Sequence, residues 1–154
     1  MTEAAHCVVD TNVLVSRLLA PRSTAARAVD LALAGGNLLG SDETLTELTA
    51  VLARPKFDPY VSRADRREFI RLLGGVMRIV PITRKVVACR DPRDDKFLEL
   101  ALAGEAAGHD VLVVSHFVAI GAVIGEATGD DAVIPVPMAN AAISSFSAGH
   151  GGLR

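Results

Sequence analysis

The stretch Cys7-Val8-Val9-Asp10-Thr11-Asn12 carries an apolar, β-branched run onto a carboxylate and straight into a segment, Val13 to Ala20, with apolar residues at helical spacing. A short apolar run of this kind predicts a strand covered on both faces. The segment after it predicts a helix. A carboxylate at such a junction stands at the carboxyl edge of a sheet, where open α/β folds place their ligands. It also faces the positive end of the helix, which favours its ionised form. The commonest role of an Asp here is to cap the helix, so any chemistry at Asp10 depends on the partners that the rest of the chain brings to it.

The chain has 154 residues, 50% of them apolar, which is enough for one domain with a sizeable core. A single domain over residues 1–146 is expected, followed by a glycine-rich, flexible tail over 147–154. No run resembles a membrane span and no basic-then-apolar segment opens the chain, so a cytoplasmic protein with no membrane partner is expected. Cys7 lies inside the first strand and Cys89 just before an acidic turn; such spacing gives neither a disulfide framework nor a metal motif. A net charge of −2 argues against a protein that holds nucleic acid by overall basicity. It does not exclude a nuclease, because an enzyme that gathers carboxylates around divalent cations carries its negative charge at the site. Arg63, Arg66, Arg67 and Arg71 cluster on one predicted helix. They read either as phosphate contacts, for which arginine is well shaped, or as a solvated helix face.

Outward from the opening stretch, Pro21-Arg22-Ser23 forms a turn in which Ser23 or Thr24 caps a helix to Ala34, stopped by Gly35-Gly36. Residues 37–40 predict a second strand. Ser41 caps the next helix, with Leu45, Leu48 and Leu52 as its buried stripe and Pro55 at its end. Ser62 with Asp65 resembles a capping box for a helix from Arg63 to Leu73, which Gly74-Gly75 ends. Residues 76–82 predict a third strand. Asp91-Pro92 is a strong helix start, because proline at the first helical position loses no useful hydrogen bond, and the helix runs to about Ala107. Residues 110–114 predict a fourth strand. A helix over 117–126, a fifth strand over 132–136 and a last helix over 138–146 complete the reading. Short apolar strands alternating with helices imply an α/β fold, a central parallel sheet of four to five strands flanked by helices on both faces.

Three acids have placements that matter. Asp10 ends the first strand. Glu47 lies about 100° or more from the centre of the leucine stripe, on the flank of its helix. Asp94 shares a face with Leu98, Ala101 and Leu102 and points inward, whereas Asp95, rotated by one residue, sits with Glu99 and is expected to be solvated. Converging carboxylates repel, and either raise one another's pKa values or recruit a cation. Oxygen-only ligands suit Mg²⁺ or Mn²⁺. In the plainer alternative, Asp91 and Asp94 cap a helix and Glu47 is a surface acid.

The stretches Val8 to Ser16, Ser41 to Leu48 leading into Val51 to Phe57, and Cys89 to Leu98 resemble, in order and spacing, the motifs of a PIN domain. More narrowly they resemble the bacterial subgroup described as toxin components of toxin-antitoxin systems. The resemblance runs from about Cys7 to Val114. It implies a parallel sheet flanked by helices, Mg²⁺- or Mn²⁺-dependent cleavage of RNA, and a cognate antitoxin partner; homodimers are common in the family. Matched residue by residue, Asp10, Glu47 and Asp94 would be the catalytic, metal-binding acids. Thr11 and Asn12 would support the first of these. Asp91 and Ser115 are further candidate supporting residues, and, separately from the resemblance, Arg63, Arg66 and Arg67 of the arginine cluster are the candidate RNA contacts. A cation-activated water would attack the phosphodiester, so no side-chain nucleophile is needed.

One position departs from the family. After the fourth strand the family usually has a small residue followed by an Asp, but here Ser115 is followed by His116. Imidazole can ligate Mn²⁺ or assist a leaving oxygen, yet it supplies no negative charge. The resemblance therefore leaves a second reading open, a catalytically weakened domain that binds RNA or protein. A phosphotransferase of the haloacid dehalogenase type, with Asp10 as nucleophile, would want a second Asp two residues on, where Asn12 stands.

Overall fold

The structure, a computed structural model, describes residues 5–89, 91–105, 110–115, 148–149 and 152–153. Four parallel strands form the central sheet in the order β3-β2-β1-β4: β1 (Ala5–Val9), β2 (Gly36–Gly40), β3 (Arg78–Ile79) and β4 (Val111–Val114). Between them run α1 (Thr11–Leu19), α2 (Thr24–Gly35), α3 (Asp42–Leu52), α4 (Arg63–Val76) and α5 (Asp95–Glu105). This is the expected α/β architecture. The helix over 117–126, the strand over 132–136, the helix over 138–146 and His116 lie outside the described residues. Within the tail, β5 (Ala148–Gly149) pairs antiparallel with β6 (Gly152–Leu153).

Alternation along the strands divides the core in two. Cys7, Val9 and Leu38 pack with Leu14, Val15, Val29, Leu48, Leu52 and Leu73 from α1 to α4 on one face. Val8 and Leu39 pack with Phe97 and Leu100 of α5 on the other. Helices therefore cover both faces, as the fully apolar strands required. α5 approaches the sheet closely at Gly104, where a Cβ would meet Leu39 Cδ1 at 2.5 Å and Val111 Cγ2 at 3.1 Å.

The helix starts follow the caps read from the sequence. Ser23 Oγ accepts the Ala26 N–H, Ser41 Oγ the Thr44 N–H and Ser62 Oγ the Asp65 N–H. Thr44 returns the bond at α3, its hydroxyl accepting the Ser41 N–H at 2.9 Å, so the box closes with a hydroxyl in place of the usual Glu or Gln.

Four expectations need correction. The buried stripe of α3 is Thr44, Leu48 and Leu52, with Leu45 only half-buried, because Thr44 is drawn inward by the box. Gly74-Gly75 does not stop α4: the Met77 N–H still donates to Leu73 O, and Leu73 is anchored in the core. The third strand is two residues long, because it pairs only with the last residues of β2, Leu39 with Arg78 and Gly40 with Ile79. The acidic helix begins with a 3₁₀ turn, Pro92–Asp94, before α5 proper.

Leu100, 1% exposed, is the deepest contact between α5 and the sheet. Leu100→Ala is expected to lower the unfolding free energy by about 2–5 kcal/mol, measured by urea denaturation, without changing the m-value.

Candidate active site

The strand order reverses between β1 and β4, so the crevice at their carboxyl ends is the switch point of the sheet. Asp10 sits at that point, 2% exposed. Its own N–H donates to Val114 O at 2.9 Å, continuing the β1–β4 ladder by one residue. Its carboxylate caps α1, Oδ1 accepting the Asn12 N–H at 2.6 Å. The other oxygen, Oδ2, accepts the Ser115 hydroxyl at 2.8 Å from the end of β4. The capping role and the switch-point position thus belong to the same side chain. Asn12 acts through its backbone, and its side chain is on an exposed residue.

Glu47 projects from the flank of α3 at 30% side-chain exposure, as its helical phase indicates. One oxygen, Oε2, accepts the Thr11 hydroxyl at 2.6 Å, which ties it to the residue beside Asp10. The other, Oε1, lies 3.0 Å from Lys96 Nζ. Lys96 is a residue that sequence reasoning passed over. Its signal was present: it stands four residues before Leu100, so it shares the inward phase of α5.

Asp91 caps the 3₁₀ turn, accepting the Arg93 N–H at 3.0 Å, and receives the Arg93 guanidinium, with Nη2 at 2.6 Å. These bonds hold its carboxyl down at about 2, well below the usual carboxylate range. Asp94 is half-buried, with its N–H on Asp91 O at 2.9 Å. Arg93 also feels the charges of Asp94 and Glu47, so these acids share one neighbourhood at the start of α5.

Asp95 and Glu99 are not solvated. They are 6% and 5% exposed, because the segment leading into the acidic turn runs across their face of α5. Asp95 Oδ1 accepts the N–H groups of Ala88 and Cys89 at 3.1 and 2.7 Å. Glu99 Oε1 accepts the Val86 N–H at 3.0 Å, and Oε2 takes Lys85 Nζ at 3.1 Å. Burial, reinforced by Asp95, pushes the Cys89 thiol up to about 12, and burial also raises Cys7. Both thiols are free and protonated at neutral pH, so neither is a ready nucleophile.

The arginine cluster divides. Arg66 is 4% exposed. Its guanidinium donates to Leu52 O at 2.8 Å and to Arg54 O at 3.4 Å, and pairs with Asp58. It pins α4 to the end of α3 and is withdrawn from the surface, against its expected role as a phosphate contact. Arg63 and Arg67 are exposed.

Among the described residues, no three His, Cys, Asp or Glu side chains are grouped closely enough to hold a metal ion. The donors at the carboxyl edge are nevertheless carboxylate and hydroxyl oxygens, a set that suits hard divalent cations in kind. A parallel sheet with a buried, doubly held Asp at its switch point defines an α/β protein with an acidic ligand edge. The PIN domain family profile matches residues 6–113, and the chain belongs to that family. PIN domains are in general nuclease domains that act on nucleic acid with divalent metal ions. Comparison with curated proteins gives no match.

Two measurements test these assignments. In an NMR titration the Asp91 carboxyl is expected to protonate near pH 2 and, in Arg93→Gln, to return towards the ordinary carboxylate range near 3.8. A depressed folded pKa means that Asp91 contributes stability above its unfolded pKa and loses it as pH falls towards 2. Arg66→Ala is expected to destabilise the fold by about 2–4 kcal/mol, since it strands the buried carbonyl of Leu52 and leaves Asp58 with Arg63 alone, whereas Arg67→Ala stays within about 0.5 kcal/mol of wild type.

Proposed function

We propose that the chain is a ribonuclease that uses Mg²⁺ or Mn²⁺ to hydrolyse phosphodiesters, and that it acts in the cytoplasm as the toxin of a toxin-antitoxin module under the restraint of a cognate antitoxin. The observation that carries the reading is Asp10: a buried carboxylate at the switch point, fixed in orientation by the Asn12 N–H at the start of α1 and by the Ser115 hydroxyl just past β4. Family membership supports the reaction class.

Asp10, Glu47 and Asp94 would hold the cation, with His116 at the position where the family's last acid would stand. When bound, the cation supplies a deprotonated water and neutralises charge on the phosphodiester. The chain's own groups orient the ligands. Asn12 N–H and the Ser115 hydroxyl fix the two oxygens of Asp10, and the Thr11 hydroxyl fixes one oxygen of Glu47. Asp91 supports Asp94 by capping the turn that presents it. Of the three arginines read as RNA contacts, Arg63 and Arg67 are exposed to meet phosphates, Arg63 beside Asp58 at 3.4 Å.

A second reading, an RNA- or protein-binding PIN domain with weakened catalysis, is favoured by the pairing of Glu47 with Lys96 and the absence of a three-acid grouping among the described residues. The two separate in one assay. Under the first reading, RNA cleavage requires Mn²⁺ or Mg²⁺, and Asp10→Asn or Asp94→Asn lowers the rate by about 100-fold or more, the scale of losing one charge-stabilising group at a reacting centre. His116→Asp raises activity at limiting Mg²⁺. Unchanged cleavage by Asp10→Asn would sink the nuclease reading, and RNA binding without detectable uptake of millimolar cation would establish the other.

A further inference from the structure

Glu47 has both oxygens engaged by the protein, Oε2 by the Thr11 hydroxyl at 2.6 Å and Oε1 by the Lys96 ammonium at 3.0 Å. We propose that Lys96 is the resident cation of this edge, holding Glu47 in the metal-free protein and competing with a divalent ion for that carboxylate. The inference rests on the metal-dependent reading of the site given above.

Lys96 is buried, its side chain 8% exposed. A lysine withdrawn from water to that degree is costly unless an opposite charge compensates it, and its ion-pair partner is Glu47. Two further contacts hold the ammonium from its own segment. It donates to the Arg93 carbonyl, and it lies 5.2 Å from the centroid of the Phe97 ring. These contacts do not involve Glu47, so the ammonium keeps partners when the carboxylate turns to another cation. Lys96 is therefore placed to yield Glu47 without becoming an isolated buried charge.

The other charged groups around it bear on the same balance. Arg93 is spent on Asp91 through three bonds, from Nε at 3.0 and 3.1 Å and from Nη2 at 2.6 Å. Lys96 is thus the cation in direct contact with Glu47, whereas Arg93 acts on it through charge alone, and a fixed positive charge beside metal-binding carboxylates lowers their affinity for a second cation. The charge on Lys96 then sets the concentration at which Mn²⁺ or Mg²⁺ enters.

Calorimetric titration of Mn²⁺ into the full-length wild type, Lys96→Met and Lys96→Arg tests this. Lys96→Met is expected to bind Mn²⁺ about tenfold more tightly, the effect of one pKa-unit-sized charge interaction. Lys96→Arg, which keeps the charge, should stay close to wild type. A lysine that served packing alone would lower the Tm of Lys96→Met and leave the Mn²⁺ affinity where it was. That result, or weaker binding by Lys96→Met, overturns the proposal. If Lys96→Met does not fold, the wild type supplies the measurement. Under reductive methylation read by mass spectrometry, Lys96 should be protected without Mn²⁺ and react faster at saturating Mn²⁺, while Lys56 is unchanged. Equal protection of Lys96 in both states overturns the proposal. Mn²⁺ binding to none of the proteins removes the metal-dependent reading itself, an outcome distinct from equal binding by all three.

Discussion

A carboxylate with 2% of its surface exposed must be met by donors, and the whole carboxyl edge depends on how Asp10 is met. One donor is local, the Asn12 N–H of the helix start. The other, the Ser115 hydroxyl, comes from the residue that follows β4, more than a hundred residues later in the chain. The second bond exists only in the observed β1–β4 register, in which Val9 lies beside Val114 and Asp10 N–H reaches Val114 O. A one-residue slip would reverse every side chain of β4 and remove Ser115 from Asp10. The register is held by the core, where Val8 packs with Val111 and Val113 beneath α5. Packing on the far face of the sheet thus fixes the geometry at its edge.

α5 carries that dependence further. Its first six residues, Asp95 to Leu100, are all buried, although three of them are charged. The helix is covered on one side by the sheet and on another by the segment 85–89, whose backbone N–H groups would be stranded without acceptors. Asp95 and Glu99 provide those acceptors. The acidic stretch is therefore two systems in succession: Asp91 and Asp94 on the 3₁₀ turn, then Asp95 and Glu99 on α5, binding the chain to the helix. Charge density in the sequence alone does not separate them.

Much of the fold was legible because local signals agreed with the global arrangement. The serine caps at 23, 41 and 62, the apolar strands and the order of elements all appear where their chemistry places them. The position of Asp10 and the flank position of Glu47 followed from period and phase. The failures at Asp95 and Arg66 share a cause, since each side chain is claimed by the backbone of another segment. Asp95 was assigned to solvent because helical phase knows only one buried face. Arg66 was grouped with Arg63 and Arg67 by proximity in sequence, yet its phase differs, and the carbonyls of Leu52 and Arg54 that claim it belong to the preceding helix end. The glycine pair failed to end α4 because propensity yields to an anchored ladder.

The charges at the edge settle how an acidic site persists in a folded chain before any ligand arrives. Like charges gathered at the end of a sheet destabilise it unless donors or cations are built in. Here Asp10 has a hydroxyl and a helix-start N–H, Glu47 a hydroxyl and an ammonium, and Asp91 a guanidinium. The local charge is partly cancelled by residues of the same segment, since Arg93 and Lys96 stand among Asp91, Asp94 and Asp95. In the reading proposed above, His116 in place of an acid acts in the same direction as Lys96, both making the edge less negative. Under that reading the site would fold without metal and take up a divalent cation by exchange with Lys96. Its activity would then follow the supply of that cation more steeply than in a site with a full set of uncompensated acids.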